Sequence, residues 1–198
     1  MFTSSLLENA MSSHAASPSP DTAAFPAVTG EHWIETLADG RRVLIRPLKA
    51  EDRLREQAFI RRLSAESRRC RFLGEIREAS ESVIDDLMDV DGVHSLAFIA
   101  LAHDDGELRE VGVSRYSATN EPWRCECAVT VADDWRHQGL AATLMRHLIV
   151  VARRNGFKHM FSIDLAEDRG MEELARELGF TRALDPDDPT LVIHTLSL

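Results

Sequence analysis

An alternating strand that leads through a short loop into a long amphipathic helix is the feature of this sequence that most limits its possible folds. Residues 124–131 follow the strand pattern, and the helix predicted over 138–154 carries apolar residues at helical spacing on one face. Asn155 and Gly156 close this helix, and another strand is predicted over 158–165. A strand, a helix and a second strand in this order form a crossover unit. The chain is therefore predicted to contain an α/β layer structure.

The remaining segments surround this unit with hairpins and short helices. Asp39-Gly40 and the residues 104–106 are turn signals between strand-like runs, so the neighbouring strands are expected to pair in antiparallel fashion. Further strands are predicted at 33–37, 43–46, 94–102, 108–118 and 190–195, and further helices at about 51–62, 64–72, 81–89 and 169–178. The expected fold is α/β, with a mixed, mostly antiparallel sheet of about six or seven strands flanked by helices.

Residues 1–30 differ in composition from the rest of the chain. They are rich in Ser, Ala and Pro and contain no Lys or Arg. Such a segment cannot bury enough apolar surface to offset its ordering entropy, which predicts a disordered tail at 1–30 and a folded domain at 31–198. The segment lacks the basic start and apolar stretch of a secretory signal. Three cysteines are too few for a disulfide framework, so a cytoplasmic location is expected.

The charge of the chain is acidic overall but unevenly distributed. The formal net charge of -10 argues against general binding to nucleic acid. Residues 41–80 nevertheless carry twelve Lys and Arg against six Asp and Glu, a local balance of +6. Such a basic face attracts a phosphorylated cofactor, or is simply a solvated helical surface. No metal site is expected, because the spacing of Cys125 and Cys127 is not that of a zinc knuckle.

The loop before the long helix has the character of an anion site. It comprises Arg136, His137, Gln138 and Gly139, and the helix continues with Leu140 and Ala141. The first N–H groups of a helix lack intrahelical partners, and the helix dipole adds partial positive charge there. Glycine at 139 lets an anion approach the backbone, and arginine at 136 adds a full charge. A glycine that serves only packing is the alternative.

The junction R-x-x-G-x-A resembles the acyl-CoA pyrophosphate motif of the GNAT N-acetyltransferase superfamily, R/Q-x-x-G-x-G/A. Neither a P-loop motif nor a G-x-G-x-x-G after a strand is present. The likeness covers about residues 41–196 and is closest to the catalytic domain of bacterial protein-lysine acetyltransferases. Its other segments are 43–52, 61–74, 112–116 and 177–180. The resemblance implies a GNAT-like sheet, acetyl-CoA as co-substrate and a primary amine as acceptor.

The resemblance also implies roles for individual residues. Glu126 matches the general base of the lysine acetyltransferase branch, and the backbone of Val129 and Val131 is expected to hydrogen-bond the pantetheine arm. An amine must lose its proton before it attacks a thioester, so a carboxylate on this strand suits the chemistry. Strand alternation places Glu126 on the opposite face from the two neighbouring cysteines. A solvated surface carboxylate, or one paired with Arg124, is the alternative.

Several positions depart from the family pattern. The last motif residue is Ala141 where Gly is common, and Asp168 replaces an Asn before the late helix, where it is expected to cap that helix. Phe180 stands where many relatives have a tyrosine that protonates the leaving thiolate. Tyr116, the only tyrosine, is assigned to the acceptor cleft, with packing as the alternative. Cys127 as an acyl-accepting nucleophile is a minor alternative.

The sequence therefore predicts an acyl-CoA-dependent N-acetyltransferase. Its predicted catalytic residue is Glu126, and its predicted substrate-binding residue is Tyr116. The predicted cofactor-binding residues are Val129, Thr130, Val131, Arg136, His137, Gln138, Gly139, Leu140, Ala141 and Asp168. The acceptor is either a protein lysine or a small-molecule amine, and a non-catalytic acyl-CoA sensor is a further hypothesis. No nucleic acid, membrane or metal is expected as a partner, and the protein is a monomer or a homodimer.

Overall fold

A computed structural model describes residues 30–74, 80–104 and 106–198, which form eight strands and five α-helices. The strands are β1 (Trp33–Thr36), β2 (Arg42–Pro47), β3 (Ser95–Asp104), β4 (Glu107–Ala118), β5 (Arg124–Val131), β6 (His159–Leu165), β7 (Thr181–Leu184) and β8 (Leu191–Ser197). The helices are α1 (Arg53–Arg62), α2 (Ala65–Phe72), α3 (Glu81–Met88), α4 (Leu140–Arg154) and α5 (Arg169–Leu178). Apart from Gly30, the predicted disordered tail lies outside the described residues.

All eight strands belong to one sheet in the order β1-β2-β3-β4-β5-β6-β8-β7. Every neighbouring pair is antiparallel except β5 and β6, which run parallel because α4 carries the chain back between them. The predicted fold class and the crossover are therefore confirmed. The sheet exceeds the expected number of strands by β7, whose four residues are all exposed and carry no alternating apolar pattern.

Helices cover both faces of the sheet. On β4, a Cβ added to Gly112 would meet Leu144 and Leu140 of α4, so even-numbered residues of this stretch face that helix. Arg115 faces the other way and pairs with Glu56 of α1. Helices α1 and α2 pack on β4 and β5 respectively, and α5 packs on α4. Strand β5 therefore lies between two helical layers.

Local capping explains where the helices begin and end. Ser64 and Ser80 accept hydrogen bonds from the N–H groups of Ser67 and Val83, which fixes the starts of α2 and α3. Helix α4 begins two residues later than the predicted position, because Gly139 has a left-handed φ of 82°. None of the helices in the described ranges is long and apolar enough to cross a membrane.

A buried ion pair fixes β2 to the start of α1. Arg46 donates to both carboxylate oxygens of Asp52, at 2.6 and 2.8 Å, and the Asp52 side chain is fully buried. Burial acts to raise the pKa of Asp52, but the hydrogen bonds and charge of Arg46 outweigh it and hold this pKa below its usual range. The pair therefore stays ionised and positions α1 against the sheet.

Candidate cofactor loop and active site

The loop between β5 and α4 contains two left-handed residues close together. A 3-10 turn at Asp133–Trp135 follows β5, and His137 and Gly139 then have φ angles of 59° and 82°. A left-handed conformation costs a residue with a Cβ roughly 1–2 kcal/mol. The fold therefore holds His137 in a conformation that it does not favour by itself. Turns of this kind direct successive N–H groups toward one side and form anion-binding concavities.

The start of α4 is open to a ligand. No side chain caps this helix, and its first backbone bond runs from the N–H of Thr143 to the carbonyl of Gly139, at 3.0 Å. The N–H groups of Leu140 and Ala141 precede that bond and point out of the helix end. A Cβ built on Gly139 would meet no atom within 4 Å. The geometry fits a pyrophosphate held by backbone N–H groups, as the sequence predicts.

The loop is braced from two sides. Asp133 accepts hydrogen bonds from the backbone and hydroxyl of Ser64 and from the hydroxyl of Ser67, at 2.8, 3.0 and 2.5 Å. Arg136 donates to the Ser67 hydroxyl at 2.6 Å, which leaves much of its exposed guanidinium available to an anion.

The β1–β2 hairpin contacts the loop from the other side, where Arg41 stacks on the ring of Trp135 at 3.7 Å. The N–H of Ala38 also donates to the carbonyl of Gln138, at 3.3 Å. The carbonyl of Gln138 is therefore turned toward the β1–β2 hairpin.

Strands β5 and β6 diverge at Glu126. Their parallel pairing comprises Arg124 with His159, Cys125 with Met160 and Glu126 with Phe161, and it ends there. Beyond this point one edge of β5 is no longer covered by β6. We use the word channel for the gap along this uncovered edge of β5, from Glu126 to the loop before α4.

The backbone of Val129 and Val131 points into this channel. At one end of β5 the N–H of Ala132 donates to the carbonyl of Val111 on β4, at 2.9 Å. Because successive strand residues direct their polar groups alternately to either side, even-numbered residues of β5 face β4 and odd-numbered ones face the open edge. Thr130 consequently directs its backbone to β4, and its side chain is buried with no hydrogen bond to its Oγ1 among the described residues.

An apolar cavity adjoins the open edge of β5. It is small and partly open to solvent, and Val129, Met145 and Leu174 contribute walls from β5, α4 and α5. Phe180 and Cys127 also line it. Burial raises the pKa of the Cys127 thiol well above its usual range, which disfavours the thiolate that a nucleophile would need. The arrangement therefore argues against Cys127 as an acyl acceptor.

Glu126 is an exposed carboxylate at the point of divergence. It lies on β5 opposite Ser117 of β4, on the α2 side of the sheet. Arg124 does not pair with it, because the Arg124 Cζ stacks 4.1 Å from the Phe161 ring centre and its Nη1 lies 4.0 Å from Glu121. Glu126 has no ion pair within the described part of the chain. Its carboxylate is free to meet an acceptor at the mouth of the channel.

Two predicted site residues, Asp168 and Tyr116, lie outside the cofactor loop and away from Glu126 on β5. Asp168 caps α5 by accepting from the N–H of Met171 at 3.0 Å, and it lies beside Cys70 of α2. Tyr116 is buried on the α4 face, where its hydroxyl donates to the carbonyl of Val93 at 3.0 Å and accepts from Asn155 at 2.7 Å. Tyr116 therefore packs in the core, and the assignment to the acceptor cleft is not supported.

Four further charged residues, none of them among the predicted site residues, lie near Glu126 in the structure. Arg115 and Glu110 of β4 lie with Glu56 of α1 and Arg71 of α2 on the Glu126 side of the sheet. The cluster of arginines in α2 was visible as local positive charge, but no sequence signal marked the carboxylates as buried. No group of side chains suited to a metal ion occurs in the described ranges.

Comparison with known proteins agrees with this architecture. A family model described as the acetyltransferase (GNAT) family matches residues 58–180. An acetyltransferase of Pseudomonas aeruginosa is 60% identical over 177 residues, which cover 89% of this chain and 95% of that protein. The GNAT domain of S. lividans PAT has a TM-score of 0.76 and 23% identity, over 84% of this chain and 97% of that chain. The Salmonella typhimurium protein yncA, solved with its cofactor acetyl-CoA, has a TM-score of 0.59 and 16% identity, over 79% and 94%. Both solved structures share the fold.

Proposed function

Because this chain belongs to the acetyltransferase (GNAT) family, we propose that it transfers an acetyl group from acetyl-CoA to a primary amine, with Glu126 as the general base. The observation that carries the proposal is the position of this carboxylate. Glu126 is exposed and unpaired where β5 leaves β6, at the end of the channel that begins at the uncapped start of α4. A base at this position serves an amine that enters from the α2 side.

The residues of the loop and channel supply the binding of the donor. Acetyl-CoA brings an activated thioester, so no covalent enzyme intermediate is needed. The N–H groups of residues 137–141, with the guanidinium of Arg136, would hold its pyrophosphate. The backbone of Val129 and Val131 would align its pantetheine arm along the open edge of β5. Asp168 caps α5, the helix whose Leu174 lines the cavity beside this edge, and we propose it as a further contact of the cofactor.

The proposed role of Glu126 is to remove the proton that prevents the acceptor amine from attacking the thioester. A free lysine amine has a pKa of about 10.4, so its deprotonation at pH 7 costs about 4.6 kcal/mol. Glu126 would accept this proton, directly or through a water molecule. Orientation of the amine beside the thioester lowers the barrier further. Phe180 cannot protonate the leaving thiolate, because its side chain has no acidic hydrogen.

Both acceptor classes are compatible with direct attack. The resemblance to protein-lysine acetyltransferases favours a protein lysine, and a small-molecule amine is the second candidate. A cytoplasmic location and the division into a tail at 1–30 and a domain at 31–198 stay predictions, as does the choice between monomer and homodimer.

Replacement of Glu126 distinguishes a catalytic acetyltransferase from a non-catalytic acyl-CoA sensor. We expect Glu126→Gln to lower kcat by about 10²–10⁴-fold while the affinity for CoA is retained, because only proton removal is lost. Thiol release measures turnover, and calorimetry measures CoA binding. Glu121→Gln, which also removes an exposed carboxylate near β5, is the control and should keep full activity. Unchanged turnover in Glu126→Gln would remove Glu126 as the base. Tight CoA binding by the unaltered protein, without turnover of any amine or lysine peptide, would instead favour the sensor.

Placement of the pyrophosphate is tested at the two ends of α4. Gly139→Trp should abolish CoA binding, because the side chain would fill the open space before the helix. Gly156→Trp is the matched control, since Gly156 also has a left-handed φ, of 94°, and no atom lies within 4 Å of its Cβ position. Both variants carry the same backbone strain, but only the first obstructs the loop. Equal CoA affinity of the two variants would show that the pyrophosphate binds elsewhere.

A further inference from the structure

Two arginines stand beside Glu126 without strong partners. Arg115 lies on β4 opposite Ala128, two residues along the strand from the partner of Glu126 and on the same face of the sheet. Its Nη2 is 3.5 Å from Oε1 of Glu56, and neither this nitrogen nor its Nε makes a hydrogen bond within the described ranges. Arg115 is buried behind the cleft, where it contributes charge more than direct contact.

Arg71 lies on the same side of the sheet as Glu126. It belongs to the last turn of α2, which packs on β5, and it is half-buried. Its guanidinium lies within electrostatic range of the charges of Arg115, Glu56 and Glu126. Burial and then the repulsion from Arg115 lower its pKa to about 10, so it stays protonated at neutral pH.

Arg71 differs from its neighbours on α2 in what it binds. Arg68 donates to the carbonyl of Leu63, and Arg69 pairs with Glu167 across the site. Arg71 makes neither a hydrogen bond nor an ion pair with any residue in the described ranges. A guanidinium in this state offers a planar set of donors that matches a carboxylate.

The charge balance around Glu126 changes during the proposed reaction. Before reaction, Arg71 and Arg115 face the carboxylates of Glu56 and Glu126. Burial and the neighbouring Glu56 raise the pKa of Glu110 well above its usual range, which favours its neutral form. Once Glu126 has taken the proton of the amine, two guanidinium groups face one carboxylate. A negative group on the acceptor would restore the balance beside the shielded pair of Arg115 and Glu56.

The geometry points to Arg71 as an anion-binding residue of the acceptor cleft, and to an acceptor that is a primary amine bearing a carboxylate. This inference rests on the proposed function, since it assigns the substrate class of the same site. It disfavours an amine flanked by further cations, because these would approach both Arg71 and Arg115. The carboxylate would accept two hydrogen bonds from the Arg71 fork while the amine reaches Glu126.

The inference is tested with matched acceptors. The panel contains straight-chain amino acids with one to five methylene groups between amine and carboxylate, each paired with its primary amide. At the best spacing we expect kcat/KM for the acid to exceed that for the amide by about 10–100-fold, as for a charge-assisted hydrogen bond. Arg71→Gln should reduce this ratio to near unity, mainly through KM of the acid, and Arg71→Lys should retain part of it. Arg61→Gln, on the exposed side of α1, is the control and should keep the ratio.

Two results would overturn the inference. One is turnover with no preference for the acid at any spacing, and the other is a preference that survives in Arg71→Gln. Failure of the proposed function would look different, because no amine would then release thiol. In that case the N-acetylated acids and their amides are titrated calorimetrically into the CoA-saturated protein and into Arg71→Gln. Stronger binding of the acids that is lost in the variant supports the anion site, and equal binding of acid and amide refutes it.

Discussion

Glu110 gives the sharpest test of the electrostatics beneath the acceptor cleft. A β-bulge between β3 and β4, at Ala100 and Leu101, shifts the register so that Glu110 turns toward α1. The side chain is fully buried, and neither of its oxygens accepts a hydrogen bond from a described donor. Burial and the adjacent carboxyl of Glu56 raise its pKa well above the usual range. We predict that Glu110→Gln stabilises the protein at neutral and alkaline pH.

The sign of this stability change follows from the number of protons that the folded and unfolded states bind. Between the ordinary glutamate pKa, about 4.3, and the raised pKa, the folded protein holds a proton that the unfolded chain has released. The free energy of unfolding therefore falls as pH rises through this window, by up to about 1.4 kcal/mol per pH unit from this group. Glutamine is neutral at every pH and has the same shape. The advantage of Glu110→Gln should be small at pH 5 and reach at least about 1–3 kcal/mol by pH 8, the cost of a buried group without its partner.

Urea unfolding at pH 5, 6, 7 and 8 measures this difference directly. The control is Glu107→Gln, an exposed carboxylate three residues earlier on the same strand, which should follow the unaltered protein at every pH. Other titrating groups also change stability with pH, but they cancel when the two curves are subtracted. A constant difference between Glu110→Gln and the unaltered protein across this range would refute the raised pKa.

Three further substitutions test the fold and the loop. Gly139→Ala should lower the free energy of unfolding by about 1 kcal/mol although the space around its Cβ is empty, because the φ of 82° is left-handed; urea unfolding measures it. Gly112→Ala should cost about 1–3 kcal/mol in the same assay, since its Cβ would lie 3.3 Å from the carbonyl of Thr130, which the sheet holds in place. Arg46→Met should cost up to about 3–5 kcal/mol at pH 7, because the buried Asp52 carboxylate loses its two-point partner and keeps only Arg55 and the N–H of Lys49. The lowered pKa of Asp52 means that this cost shrinks as pH falls through that pKa, so unfolding at pH 7 and pH 3 should show a smaller difference in acid.

The donor side of the site was predictable because it depends on backbone periodicity. Alternation along β5 predicted that Glu126 lies on the opposite face from its two neighbouring cysteines, and in the structure Glu126 is exposed and both cysteines are buried. The change from strand to helical spacing predicted a helix from about 138, two residues before the observed start at Leu140. Features of this kind follow from the order of residues in one segment, so no tertiary contact was needed to infer them.

The acceptor side was not predictable in the same way because it is assembled from distant segments. Arg71 reaches Glu126 only because α2 packs on β5, and Glu110 reaches Glu56 only because a bulge shifts its strand. No local sequence pattern indicates either the packing of α2 on β5 or the bulge. Tyr116 illustrates the same limit, since its chemistry suited a cleft while the register of β4 turned it to the α4 face.

Helix α2 connects the two halves of the site. Near its start, Ser67 binds Asp133 and Arg136 of the cofactor loop. One turn later, Arg71 stands beside Glu126. Residues four apart lie on one face of a helix, so both contacts arise from the same surface of α2. Correct orientation of two reactants can contribute about 7–11 kcal/mol to catalysis, provided that the reacting atoms are held closely. A helix that contacts the proposed donor loop and also packs beside Glu126 would fix their separation by packing, and mobile loops alone would give a looser alignment.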